Sequence, residues 1–375
     1  MRLLLKHAHL IVDGNKEYLD GAILINGEYI EDVFANSNKI QNIDAKEVDV
    51  KGMIIMPGFF DTHSHGINAI DYLDLKGNDL DKASLAYAKK GTTSFFSTVY
   101  ASPYLESALT NLNNLDTKYS RCLGVHLEGP FLSEKKLGAS KKEDLLTPTI
   151  EYTKKLLCLN NNLKQMTIAP ENEGAIDVMN FLKENGIKVM LGHSGVTNYT
   201  LDNYDGFTHL YNAMSSFSHR NKGLVNTAFE REDKYVELIG DGIHVDEEVL
   251  KITLKLLRRD RIMLISDSTL AAGLKDGEYN FNNAVCVKEG NRFMRKSDRT
   301  LSGSASCILD EIKVMKNIGA SYTDILLMSS LNAYRFYGLD KLYGTLNKGQ
   351  YADLVLLDEN LNLICTFVRG KMIYA

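Results

Sequence analysis

The feature that most constrains this chain is a recurring pattern: short, almost wholly apolar runs, each closed by a polar end that often carries histidine or a carboxylate. There are eight such runs, Ile54–Phe60, Thr93–Val99, Leu123–Leu127, Met166–Ala169, Lys188–Leu191, Gly206–His209, Val236–Ile239 and Arg261–Ile265. Segments with apolar residues at helical spacing lie between several of them, namely Leu80–Lys90, Ile150–Leu159, Ile176–Glu184 and Asp246–Leu257. A strand apolar on both faces must be covered on both, which is the condition of a parallel sheet with helices crossing over it. Eight such units predict an α/β fold of the (β/α)8 TIM-like barrel type. A doubly wound open sheet also alternates, but no GxGxxG turn follows the first run, and eight units suit closure.

The two ends of the chain read differently. Residues 3–12 and 22–34 are expected to be short strands with turn signals at Asp13-Gly14 and Asn26-Gly27. Ala352–Leu357, Leu363–Val368 and Lys371–Tyr374 alternate with turns in the same way. The termini are therefore expected to pair into one small β-sandwich module, 1–50 with 344–375, beside a barrel of 51–343. A chain of 375 residues with 44% hydrophobic content can bury cores of that size. Its net charge of −5 gives no footprint for nucleic acid or an anionic membrane, so an anionic substrate must be held by local donors. Five scattered cysteines without CxxC spacing fit reduced thiols and a cytoplasmic setting. The N-terminal apolar run, broken by Lys6, His7 and His9, is too short and polar for a signal peptide or membrane span.

Active sites of such barrels lie at the C-terminal ends of the strands. Here those ends carry His63 and His65, Glu128, His193, His209, His244 and Asp267, so five of the chain's nine histidines fall in a small fraction of its length. A lone histidine is more often a satisfied core group than a ligand, and the clustering reverses that weighting. His63 and His65 are two apart, and the alternation of a strand turns both imidazoles to one face. Imidazoles with a carboxylate from another strand suit a divalent transition metal. Two cations need a bridging anion. The fourth strand ends in Ala169-Pro170-Glu171-Asn172-Glu173, which offers no lysine for that role, so the bridge is assigned to Glu128.

The stretches PGFFDTHSHG (57–66), HLEGPF (126–131), LGHSG (191–195), THLYNAM (208–214), DGIHVD (241–246), ISDST (265–269) and TLSGS (300–304) together resemble the N-acetylglucosamine-6-phosphate deacetylases of the amidohydrolase superfamily. The motifs stand in family order, and GTLNKGQYADLVLLD (344–358) resembles the family's closing β segment. The resemblance implies one metal on Glu128, His193 and His209, with His63 and His65 adding a second and Asp267 near enough to be a further ligand. Two cations per subunit, zinc or iron, are expected. It further implies Asp267 as general base and acid, and His244 as the group that polarises the acetyl carbonyl. Sugar contacts are implied at Ala139, Ser140, Leu301, Ser302 and Gly303, and phosphate contacts at Asn212, Ala213 and Arg220. In this family the arginine usually comes from a neighbouring subunit, so a homodimer is expected. Two departures bear on specificity: Ser140 stands where histidine or glutamine is common, and Arg220-Asn221-Lys222-Gly223 replaces an Arg-acidic-Pro-Gly turn. The competing readings are deacetylation of N-acetylgalactosamine 6-phosphate, or another amidohydrolase acting on an unphosphorylated amide. A catalytically silent scaffold would have lost ligands, and every candidate ligand is present.

Overall fold

In the computed structural model, which describes residues 2–374, the apolar runs form one parallel sheet. Its strands are Phe59–Ser64, Thr92–Tyr100, Arg121–Glu128, Leu163–Ile168, Lys188–Leu191, Gly206–Phe207, Tyr235–Leu238 and Ile262–Leu264, hydrogen-bonded in chain order. Beyond the strand ends the Asp267 N–H donates to the His63 carbonyl at 2.9 Å and the His65 N–H to the Ser268 carbonyl at 2.7 Å. These bonds join the first strand to the eighth, so barrel closure is made by the same residues the sequence marks as functional.

Helices Asp79–Ala88, Leu105–Asn111, Ile150–Leu159, Ala175–Glu184, Leu224–Glu230, Glu247–Leu256 and Ile308–Asn317 cover the outside. Their starts follow local chemistry: the Thr149 hydroxyl accepts from the Tyr152 N–H, and the Asp246 carboxylate from that of Glu248. Among the described residues no helix links the fifth and sixth strands, where residues 192–205 run as loop. The N-terminal end of the barrel is plugged by Phe60, Phe96, Met190 and Met263, packed on Tyr334 and Phe336 of the helical run 322–336. Each of these four side chains is at most 1% exposed, and burial of each stabilises by roughly 1.5–3 kcal/mol. No helix among the described residues is long and apolar enough to cross a membrane.

Both termini enter one eight-stranded sheet, in which Leu354–Leu357 lies between Leu363–Val368 and Ile54–Pro57, and Ile54–Pro57 pairs in turn with Arg2–Asp13. The run Ile54–Phe60 is thus two strands rather than one. Its first half belongs to the terminal sheet, and the barrel strand begins at Phe59. The run 22–34 also divides, into Lys16–Asn26 and Tyr29–Phe34, folded at the Asn26-Gly27 turn. Arg121, at the start of the third barrel strand, joins the two units: it is 6% exposed, lies 3.2 Å from the Asp353 carboxylate and sits over the Tyr351 ring at 4.4 Å.

A further element lies beyond the sequence reading. After the eighth strand, Gly277–Phe281, Ala284–Glu289, Arg292–Arg295 and Leu301–Ser304 form an antiparallel sheet. Its first hairpin turns at Asn282-Asn283 with φ of 48° and 57°, the left-handed pair that a two-residue turn requires. This insert lines one side of the cleft at the barrel mouth.

Candidate metal centre and active site

Glu128 ends the third strand and stands between two pairs of histidines. Its Oε1 lies 3.0 Å from Nε2 of His193 and 3.0 Å from Nε2 of His209, while Oε2 lies 3.4 Å from Nε2 of His65. Nε2 of His63 approaches Oε1 at 3.6 Å. Asp267 closes the group, its Oδ1 being 3.1 Å from His65 Nε2 and 3.5 Å from His63 Nε2. All are buried, with no member more than 9% exposed.

The donor chemistry fits a divalent cation. His193 commits Nδ1 to the Lys136 carbonyl at 2.9 Å, and His65 Nδ1 faces the Thr98 carbonyl at 3.3 Å, so each turns an Nε2 lone pair inward. Nε2 of His193 and of His209 lie 3.1 Å apart, each 3.0 Å from the same Glu128 oxygen, so three potential ligand atoms converge on one point. Nε2 of His63 is fully buried and has no hydrogen-bond partner. Two triads, His63–His65–Glu128 and Glu128–His193–His209, each bring one ligand atom per residue within 4.8 Å of the others, and they share Glu128.

In the metal-free site, burial alone would raise the Glu128 carboxyl, but the charge of His193 and hydrogen bonds from His193, His209 and His65 hold it well below the usual carboxylate range. Burial would likewise raise Asp267, and the hydrogen bond from His65 with the charges of His63 and His65 reverses the shift, leaving a carboxylate at neutral pH. On the seventh strand's loop, Asp241 accepts from His244 at both Nδ1 (2.8 Å) and the backbone N–H (2.9 Å). Burial pulls the His244 pKa down, yet the Asp241 hydrogen bond and charge outweigh it and raise the value. His244 lines the cleft, and its buried Nε2 has no hydrogen-bond partner.

Comparison with known proteins decides the family: the amidohydrolase family matches residues 54–373. The chain belongs to the amidohydrolase family. It is 32% identical over 381 residues to N-acetylglucosamine-6-phosphate deacetylase of Bacillus subtilis (strain 168), spanning 95% of this chain and 96% of that one. It is 29% identical over 346 residues to N-acetylgalactosamine-6-phosphate deacetylase of Escherichia coli O157:H7, spanning 89% and 91%. The solved structure of N-acetylglucosamine-6-phosphate deacetylase from Thermotoga maritima matches at TM-score 0.83 with 27% identity, covering 99% of this chain and 100% of that one. The Pasteurella multocida enzyme of that name matches at TM-score 0.91 with 24% identity over 100% of both chains, a likeness of fold.

An amidohydrolase of this kind binds a divalent metal, and the two Glu128-centred triads are the candidate ligands. Of the residues marked in the sequence, His65, Glu128, His193, His209, His244 and Asp267 line one cleft with Ala139, Ser140, Asn212, Ala213, Leu301 and Gly303. His63 lies beneath it at 0% exposure, and Ser302 is buried behind the wall. Gly303 has φ of 60°, and a Cβ there would come within 2.8 Å of the Asp267 carbonyl oxygen, so only glycine fits. Arg220 is exposed and is not part of the cleft of its own chain.

Sequence reasoning missed Tyr100, Phe281 and Asn282 in the cleft wall, where the Asn282 side-chain amide donates to the Ala139 carbonyl at 3.2 Å. Tyr100 was findable, since it ends the second barrel strand. It also missed the polar layer under the ligands. There His126 lies between Thr98 (3.3 Å) and Thr167 (2.9 Å), its pKa held well below the ordinary value by burial and the neighbouring His63.

Proposed function

We infer that this chain hydrolyses N-acetylglucosamine 6-phosphate to glucosamine 6-phosphate and acetate. The observation that carries the reading is that Asp267 and His244, the latter held by Asp241 at 2.8 Å, line one cleft around the Glu128-centred donors. We assign one cation to Glu128, His193 and His209 and a second to His63, His65, Glu128 and Asp267, zinc or iron in each case. A divalent cation in such a site lowers the pKa of water to about 7 and so supplies a nucleophile at neutral pH.

The chain's own groups do the rest. Asp267 takes the proton from the attacking water and returns it to the amide nitrogen, so that an amine leaves instead of an amide anion. His244, fixed by Asp241 and charged, donates its Nε2 proton in a hydrogen bond to the acetyl carbonyl oxygen, where negative charge develops. Ala139, Ser140, Leu301 and Gly303 hold the sugar, with Ser302, which the resemblance also implied, behind them and out of the cleft, and Asn212 with Ala213 meets the phosphate. No lysine or arginine lines the cleft among the described residues, although a phosphate calls for one. Arg220 of a second copy meets that need in a homodimer, its planar fork pairing with phosphate oxygens.

The test is acetate release from N-acetylglucosamine 6-phosphate, N-acetylgalactosamine 6-phosphate and unphosphorylated N-acetylglucosamine, with metal content measured on the same sample. Release from the first in preference to the other two is expected. No release from any of them by metal-replete protein overturns the reading.

A further inference from the structure

Below the cleft the seventh barrel strand, Tyr235–Leu238, carries an acid inside an otherwise apolar run. Glu237 is 0% exposed, and a carboxylate so placed is costly unless each oxygen finds a donor. Both do. Oε1 accepts from the Gln165 side-chain amide at 2.7 Å, and Oε2 lies 3.2 Å from Nδ1 of His63. Gln165 is fixed in turn, its oxygen accepting from the Tyr337 hydroxyl. A chain of hydrogen bonds thus runs from the helical plug through the fourth and seventh strands to the first.

This chain decides the tautomer of His63. A carboxylate can only accept, so Nδ1 must carry the proton and Nε2 must present its lone pair. That Nε2 is the buried nitrogen with no hydrogen-bond partner, facing Glu128 at 3.6 Å and Asp267 at 3.5 Å. His65 and His193 are oriented differently, each by a neutral backbone carbonyl, of Thr98 and Lys136. Of these three rings only His63 has a carboxylate behind it, which both fixes the ring and places negative charge one imidazole away from the cation position.

We propose that Glu237 is a positioning residue that, through the proton on His63 Nδ1, determines whether the His63–His65 position retains its cation. The inference rests on the two-cation reading given under the proposed function. If Glu237 served only to satisfy Gln165 and Tyr337 in the core, its replacement would change stability and leave cation content alone.

Glu237→Gln separates the two roles, because the amide keeps the size and can donate to Nδ1, turning the His63 N–H towards the cation position. The experiment measures zinc per chain and zinc affinity, by competition with a graded series of chelators, for the parent, Glu237→Gln and His63→Gln. Circular dichroism melting is run on each. The parent is expected to hold two ions. In Glu237→Gln the weaker ion should be held about ten- to a hundred-fold less tightly, with the other unchanged. His63→Gln should lose the same ion. If Glu237→Gln does not fold, Glu237→Asp gives the same readout, since the shorter side chain draws the carboxylate back from His63. A Glu237 variant that keeps both ions at parental affinity overturns the inference alone. A parent that binds one ion at saturating zinc overturns it together with the two-cation reading, and leaves deacetylation through Glu128, His193 and His209 standing.

Discussion

Replacing Asp267 with asparagine removes the proposed base and weakens one cation position, but it need not disturb the loop. Its backbone is held independently of the side chain, the N–H donating to the His63 carbonyl at 2.9 Å and the carbonyl accepting from the Ser304 N–H at 2.8 Å. The loop should therefore keep its course. A positioned acid or base contributes roughly 10²–10⁴ in rate. Asp267 is asked to act twice, first taking the proton and then delivering it to nitrogen, which puts the expected loss of kcat in the upper half of that range. At 1.36 kcal/mol per decade, a loss of about 10³–10⁴ is about 4–5.5 kcal/mol of barrier. KM should move only a few-fold, because the proposed sugar and phosphate contacts are made by other residues. Oδ1 of Asp267 lies 3.1 Å from His65 Nε2, so one ion of the pair will loosen, whereas the Glu128–His193–His209 triad does not include Asp267. Steady-state acetate release and metal analysis on the same preparation read these effects separately. A variant that retains parental metal content and turns over within tenfold of the parent refutes the role. So does a variant that loses all its metal, since Asp267 would then be holding the ions rather than moving a proton.

Asp241→Asn should act through His244. Burial lowers the pKa of that ring and Asp241 raises it past its ordinary value, so the active imidazolium is lost only as pH climbs through the raised pKa. Without the carboxylate the alkaline limb of kcat against pH moves to lower pH, and an unmoved limb refutes the assignment. Arg220→Ala should lower kcat/KM for the 6-phosphate by about 10–150-fold, the worth of a charged hydrogen bond of roughly 1.5–3 kcal/mol, and leave unphosphorylated N-acetylglucosamine unaffected. Mixed and exchanged with Asp267→Asn chains, it should recover about a quarter of parental activity, because each mixed dimer of a two-fold pair contains one complete site; no recovery excludes an arginine reaching across. Arg121→Ala leaves Asp353 buried without its ion pair and should cost about 3–5 kcal/mol in urea unfolding, with a loss under about 1 kcal/mol as the contrary result.

The barrel was legible because its strands are apolar on both faces, and that signal survives without any alignment. It says that a run is buried, however, and not in which sheet, so Ile54–Pro57 and the strand from Phe59 read as one. The insert over residues 277–304 was invisible for the opposite reason: its strands are half exposed, as in Gly277–Phe281, and resemble loop. The candidate ligand histidines stood out because strand ends concentrate function. Glu237 did not, since one acid in an apolar run looks like an exception to the pattern until His63 is found 3.2 Å away.

Three of the donors have left-handed backbone, His193 with φ of 46°, His209 with 30° and Asp267 with 48°. For a residue with a Cβ this costs about 1–3 kcal/mol each, so together they consume a sizeable part of the 5–15 kcal/mol by which a typical domain is stable. What holds them is the loops around the cleft. The His193 carbonyl accepts from the Ser133 N–H at 2.9 Å, that of His209 from Asn212 at 2.9 Å, and that of Asp267 from Ser304 at 2.8 Å. Those three donors belong to the segments that carry Ala139 and Ser140, Asn212 and Ala213, and Leu301 to Gly303. The loops proposed to contact the sugar and the proposed metal donors are therefore one mechanical unit, and a substitution in those loops reaches the site through the carbonyl of His193, His209 or Asp267. Arg220, whose N–H bonds to Ser218 within its own loop, lies outside that unit, so its loss should weaken binding of the phosphate and leave the donors where they are.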